Sequence, residues 1–101
     1  MEFNEDSEPR LVMVDVDGTL TKGEKRYWEE EPEPDEEVIE KVRSLYKQGN
    51  HIVIWTARSW DAARETVAWL EKHNVWYHGI RMAKGGADLY IDDKAVNVDD
   101  F

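Results

Sequence analysis

The chain has 101 residues and a mass of 11.9 kDa, the size of one domain able to fold alone. Hydrophobic residues make up 41% and charged residues 36%, and there is no Cys, which excludes disulfide frameworks, thiolate zinc sites and cysteine nucleophiles. With 23 acidic against 13 basic residues the net charge is -10, a surface that repels phosphate backbones and anionic membranes, so nucleic acid is disfavoured as a partner and no membrane contact is expected.

Residues 1–10 are polar and acidic, without periodicity, and read as a flexible arm. Such an N-terminus is neither a secretory signal nor an Arg-rich transit peptide, and no apolar run reaches the roughly 20 residues of a membrane span, so a cytoplasmic protein is expected. From residue 11 the sequence Leu11-Val12-Met13-Val14-Asp15-Val16 is a short apolar run that ends in Asp-x-Asp-Gly-Thr, as a buried parallel strand closed by a turn would. Residues 21–34 carry Gly23, Pro32, Pro34 and a run of Glu, which predicts a loop or small flap. The acidic end of that run then opens a helix over 35–48, where Val38, Ile39, Val42, Leu45 and Tyr46 recur at helical spacing and Gly49 gives the stop.

His51-Ile52-Val53-Ile54-Trp55-Thr56 is a second strand, and Ser59 is a candidate cap for a helix over 60–72 with Ala63, Val67 and Leu70 on its apolar face. Asn74 can end that helix in the left-handed conformation, after which Val75-Trp76-Tyr77 begins a short third strand. Asp88-Leu89-Tyr90-Ile91-Asp92-Asp93 closes the series with another apolar run ending in carboxylates. This order predicts an α/β fold: a three-layer, Rossmann-like arrangement of a small parallel sheet flanked by helices, in a single domain over 11–101. The interval 80–87 is too short for a full crossover helix, which leaves the third strand's place open.

In such a sheet Asp15, Asp17, Thr56, Asp92 and Asp93 all fall at or just past strand C-termini, the edge where ligands of open α/β sheets bind. Four carboxylates on one edge repel each other unless a cation sits among them, and a hard cation such as Mg2+ takes carboxylates together with substrate phosphate. Phosphate in turn needs donors and positive charge. Thr56 offers a hydroxyl with the N–H groups of Ala57 and Arg58 beside it, and Lys84 offers a cation in a Gly-flanked loop. Gly18 lets the backbone turn close to a ligand, and Thr19 adds another hydroxyl. One carboxylate can attack phosphorus while its neighbour exchanges protons with leaving group and water.

These residues resemble the motifs of the haloacid dehalogenase-like (HAD) hydrolases. Asp15-Val16-Asp17-Gly18-Thr19-Leu20 resembles the first motif, the strand ending in Thr56 the second, Lys84 the third, and Tyr90-Ile91-Asp92-Asp93 the fourth. The resemblance implies a phosphomonoester hydrolase with Mg2+ and an aspartyl-phosphate intermediate, with Asp15 as nucleophile and metal ligand. It makes Asp17 the general acid/base with its carbonyl on the metal, Thr56 the holder of the phosphoryl group, and Lys84 its neutralising cation. Asp92 becomes the further direct ligand, with Asp93 in support, although either can be the inner one. The subgroup it looks most like is that of small capsule-biosynthesis or phage HAD phosphatases, with endings similar to Tyr-Ile-Asp-Asp-Lys-Ala. The stretch from Leu20 to Asp35 is too short for a cap domain, which leaves an open site that suits a large substrate or closure by a second subunit of a homo-oligomer. A small phosphorylated metabolite is the expected substrate.

Two other readings stand beside this one: a catalytically idle HAD-like module that binds metal or a partner, and a polynucleotide 3'-phosphatase, against which the charge of -10 argues. Arg58 fits a substrate contact as well as an ion pair with a nearby carboxylate. Tyr27 and Trp28 in the flap fit stacking on a sugar or base as well as a subunit contact.

Overall fold

The computed structural model describes residues 8–23, 27–85, 91, 96, 98 and 101. Of the expected elements, the last strand at 88–93 lies outside the described residues except for Ile91, and so do residues 1–7 of the arm. Strands β1 (Leu11–Val14), β4 (His51–Trp55) and β5 (Gly79–Arg81) form a parallel sheet in the order β1-β4-β5. Its register pairs Leu11 with His51 through Val14 with Ile54, and Val53 with Gly79 through Trp55 with Arg81. Strand order follows chain order, so right-handed crossovers bring helices α1 (Glu36–Lys47) and α2 (Ala63–Lys72) to the same face of the sheet. This is a HAD/Rossmann-like α/β fold, and among the described residues no cap domain interrupts it.

The strands bury that face. Val14, Val16, Ile52 and Ile54 form the core with Ile39, Val42 and Leu45 from α1 and Trp69 and Leu70 from α2. Each buried aliphatic side chain contributes about 1.5–3 kcal/mol. The alternate residues of β1 stand away from the helices: Leu11 is 65% exposed and Met13 sits at the surface. The continuous apolar run in the sequence is therefore buried on one side only among the described residues, because both crossover helices share a face.

Helix α1 begins where the sequence places it. Asp35 caps it by accepting the Val38 N–H at 3.3 Å, Glu36 and Glu37 lie in the first turn, and Lys47 lies in the last. Gly49, at φ 94°, takes the left-handed turn that ends it. Helix α2 differs from expectation at its start. Residues Trp60–Ala62 form a 3-10 turn, and the Ser59 hydroxyl donates to the Asp61 carboxylate rather than capping a backbone N–H. Its buried stripe is Thr66, Trp69 and Leu70, with Ala63 and Val67 only half-buried. Two polar tasks turn the helix that way: the Trp69 indole donates to the Pro32 carbonyl at 2.9 Å, and the Thr66 hydroxyl serves Arg58.

The third strand lies four residues later than the sequence suggests. Asn74 adopts φ 54°, and Val75 turns its N–H back to the Leu70 carbonyl at 3.0 Å, so Val75 closes α2 instead of pairing with the sheet. The chain then crosses the sheet's lower edge, where the rings of His51, His78 and Tyr46 stack in a column at centroid spacings of 4.3 and 4.4 Å. Pairing starts only at Gly79. The flap contains a small antiparallel ribbon, β2 (Thr21–Lys22) with β3 (Glu33–Pro34), which closes its base. Trp69 on Pro32 and Lys72 on Glu31, at 2.8 Å, fasten the flap to α2.

Candidate active site

Parallel strands bring their C-terminal ends to one edge, and the described candidate residues meet there. Asp15 directly follows β1, Thr56 directly follows β4, and Lys84 lies three residues past the end of β5. No crossover helix is needed to deliver Lys84. The Thr56 N–H donates to the Arg81 carbonyl at 3.0 Å, the Ala83 N–H to the Arg58 carbonyl at 2.7 Å, and the Lys84 N–H to the Thr56 carbonyl at 2.8 Å. Ala83 takes φ 62°, a left-handed conformation that a non-glycine residue adopts only when its surroundings impose it. That turn places Lys84 Nζ 3.8 Å from Asp15 Oδ1, with the lysine side chain mostly buried.

The loop after β1 is wound around one carbonyl. Val16, fully buried, accepts the N–H groups of Thr19, Leu20 and Thr21 at 3.2, 2.9 and 3.2 Å. Gly18 at φ 80° makes this winding possible, and its N–H donates to the Thr21 hydroxyl at 2.9 Å. Thr19 is half-buried in the same turn and Ala57 is exposed. Asp15 and Asp17 thus stand on either side of an anchored residue. Asp15 Oδ1 accepts the Val16 N–H at 2.8 Å, and Oδ2 has no hydrogen-bond partner among the described residues. Burial pushes the Asp15 carboxyl above its ordinary pKa, the Lys84 charge and the Val16 N–H pull it back in part, and the Asp17 charge pushes it up again.

Arg58 makes the ion pair that is one of the two roles its sequence position suggests. Its guanidinium is almost entirely buried and grips Asp17 with two bonds, Nε to Oδ2 at 3.0 Å and Nη2 to Oδ1 at 2.8 Å. A third nitrogen, Nη1, donates to the Thr66 hydroxyl at 3.0 Å, and that hydroxyl donates in turn to the Ala62 carbonyl at 2.8 Å. Tyr27 lays its ring over the guanidinium, 4.0 Å from centroid to Cζ, with Trp28 edge-on against it. Tyr27 is therefore part of an internal stack, while Trp28 is 65% exposed. Thr66 was absent from the sequence-derived site. Its one signal is a hydroxyl in an otherwise apolar helical stripe. Thr56 is fully buried, and its hydroxyl accepts the Arg58 N–H at 3.2 Å.

Asp92 and Asp93, the remaining metal-ligand candidates, lie outside the described residues. Among the described residues no three carboxylate or imidazole groups cluster as a metal set. The donors that are described fit a hard cation: a partly desolvated Asp15 carboxylate and an Asp17 carbonyl, with Asp15 Oδ2 and that carbonyl accepting no hydrogen bond from described residues. A cleft of about 340 Å³ between the flap and α2, lined by Tyr27, Trp28, Pro32, Arg58 and Trp69 among the described residues, touches this site through Arg58 and Tyr27. No helix among the described residues is long and apolar enough to cross a membrane.

Comparison with known proteins agrees with this fold. A crystal structure of a structural-genomics target from Vibrio cholerae is similar at 31% identity and a TM-score of 0.73, over 89% of this chain and 85% of that one. The structure of a Pnkp1/Rnl/Hen1 complex is similar at 22% identity and a TM-score of 0.66, a likeness of fold alone, with 87% of this chain aligning to 32% of that chain. Comparison with curated proteins returns no match. The family described as the polynucleotide kinase PNKP phosphatase domain matches residues 9–97. Strand-end carboxylates, the returning lysine and a match over most of the chain make one conclusion: the chain belongs to the polynucleotide kinase phosphatase domain family of HAD-like proteins.

Proposed function

We propose that this chain hydrolyses phosphomonoesters with Mg2+, through an aspartyl-phosphate formed on Asp15. The observation that carries the reading is the approach of Lys84 Nζ to Asp15 at a strand edge, beside an Asp17 held by a buried guanidinium. Asp15 attacks phosphorus, the P–O bond to the leaving group breaks, and the leaving oxygen takes the proton that Asp17 carries into the reaction as a carboxylic acid, leaving the Asp17 carboxylate. Water then attacks the same phosphorus, gives a proton to Asp17, and releases phosphate with the Asp15 carboxylate restored. Lys84 balances the charge gathered on Asp15 and the phosphoryl oxygens, while the Ala57 N–H and the Thr19 hydroxyl supply donors at the same edge. Mg2+ would be held by the Asp15 carboxylate, the Asp17 carbonyl and Asp92 or Asp93, and when bound it neutralises phosphate charge.

The substrate we favour is a small phosphate ester, because a net charge of -10 repels a polynucleotide backbone. The family's description supports a second reading, in which the phosphate sits at a polynucleotide end. Phosphate release from p-nitrophenyl phosphate, sugar phosphates, nucleotides and a 3'-phosphorylated oligonucleotide, with Mg2+ or EDTA, separates them. Turnover that needs Mg2+ and is lost in Asp15→Asn supports the mechanism, and preference for the oligonucleotide at low and high salt alike selects the second substrate. Folded wild type that releases phosphate from none of these esters overturns both and favours a binding module.

A further inference from the structure

The flap reaches the acid/base carboxylate through a stack of three groups. Asp17 is 39% exposed and lies in a loop, so nothing in its own backbone fixes where its carboxylate points. Orientation comes from Arg58, whose N–H groups point outward in the guanidinium plane and make three described bonds, two to Asp17 and one to Thr66. Bonds within a plane do not stop the plane from tipping. Tyr27 does that, since its ring covers the guanidinium face at 4.0 Å. The ring is itself placed from two sides: Trp28 meets it edge-on at 5.0 Å, and the flap behind it is tied to α2 by the Trp69 bond to Pro32 and the Lys72 bond to Glu31.

We propose that Tyr27 is a positioning residue, which holds the plane of Arg58 so that the Asp17 carboxylate faces the leaving-group oxygen. This rests on the reading of Asp17 as the general acid/base. Tyr27 acts through its ring face, so the phenol hydroxyl is dispensable. Its loss does not remove the acid but lets it wander, and the reactions that suffer are those whose leaving group must be protonated as it departs.

The test compares two esters that differ in that need. p-Nitrophenolate leaves without help, whereas the alkoxide of β-glycerophosphate needs a proton. In Tyr27→Leu, kcat/KM for β-glycerophosphate is expected to fall about tenfold, a part of the full general acid–base contribution, and that for p-nitrophenyl phosphate less than about twofold. Tyr27→Phe is expected to match wild type on both. A flap that was merely loosened would slow both esters alike. Equal losses on the two esters, or a Tyr27→Phe variant as impaired as Tyr27→Leu, would overturn the proposal. A second readout does not depend on turnover: the Arg58 Nε–H resonance should exchange with water faster in Tyr27→Leu but not in Tyr27→Phe. Unchanged exchange in Tyr27→Leu also overturns it. Wild type that hydrolyses neither ester removes the acid/base reading on which the proposal rests, and it is told apart by an exchange pattern that still follows the ring.

Discussion

The pairing of Asp17 with Arg58 is lopsided, and its two halves should not cost the same to remove. The guanidinium side chain is 3% exposed and the carboxylate 39% exposed. Among the described residues, Asp17→Ala leaves a buried cation with the Thr66 hydroxyl, the Tyr27 ring and the more distant Asp15 charge but no paired carboxylate. Arg58→Met leaves a carboxylate that water can reach, a long apolar stem in the cavity, and a Thr66 hydroxyl that still donates to Ala62. Breaking a buried pair by removing one partner costs about 3–5 kcal/mol when the survivor stays buried. Solvent access at Asp17 and relief of its repulsion with Asp15 lower this, so Asp17→Ala is expected to cost about 2 kcal/mol. Arg58→Met is expected to cost less than about 1 kcal/mol, because the lost pair is offset by the burial of an apolar side chain. For a domain of this size the first figure corresponds to a fall in Tm of roughly 8–16 °C. Urea and thermal melts followed by circular dichroism at neutral pH, without divalent cation, measure both. Adding Arg58→Met to Asp17→Ala should restore stability, since it removes the stranded charge. A double variant less stable than Asp17→Ala, or an Arg58→Met as damaging as Asp17→Ala, would refute the reasoning.

Three further expectations follow, two from the same edge of the sheet and one from the flap's attachment to α2. Because burial raises the Asp15 pKa, the folded state holds that proton more tightly than the unfolded one. The contribution to stability is present below the ordinary carboxylate value and lost as pH rises through the raised folded value. Asp15→Asn should therefore melt higher than wild type at pH 7 without metal, and the advantage should vanish below about pH 4. Gly18→Ala meets no atom within 4 Å but must sit at φ 80°, so a loss of about 1 kcal/mol in urea melts is expected from backbone strain alone. Trp69→Phe keeps the ring in the core but leaves the buried Pro32 carbonyl without its indole donor, at a cost of about 1–3 kcal/mol by the same measurement.

The legible parts of this protein were those fixed by short-range pattern. Strands β1 and β4 announce themselves as apolar runs, and α1 carries its cap, its acidic first turn and its Gly stop within fifteen residues of sequence. The third strand was harder because Val75 satisfies a helix end and a strand start equally well on paper. Only the bond from its N–H to Leu70 decides between them. Lys84 was legible as a motif member, but its delivery was not, since a left-handed Ala83 has no sequence signal of the kind Gly provides. Arg58 shows the limit most plainly. Its partners are Asp17, 41 residues earlier, Thr66, and a tyrosine in a flap that composition marks only as polar. No local pattern can choose between an ion pair and a substrate contact for such a residue, because the choice depends on which chains the fold brings beside it.

The described part of the site is assembled from three stretches of chain, at 15–21, 56–58 and 83–84, joined by bonds that span from about twenty-five to forty residues. None of these stretches can make its catalytic contacts alone, and such long-range closures are entropically the slowest to form. Under the proposed activity, phosphate release is therefore a stricter reporter of completed folding than helix content. On refolding from urea, the circular dichroism of α1 and α2 should recover ahead of phosphate release. A chain interrupted before residue 84 would lack the lysine that faces Asp15.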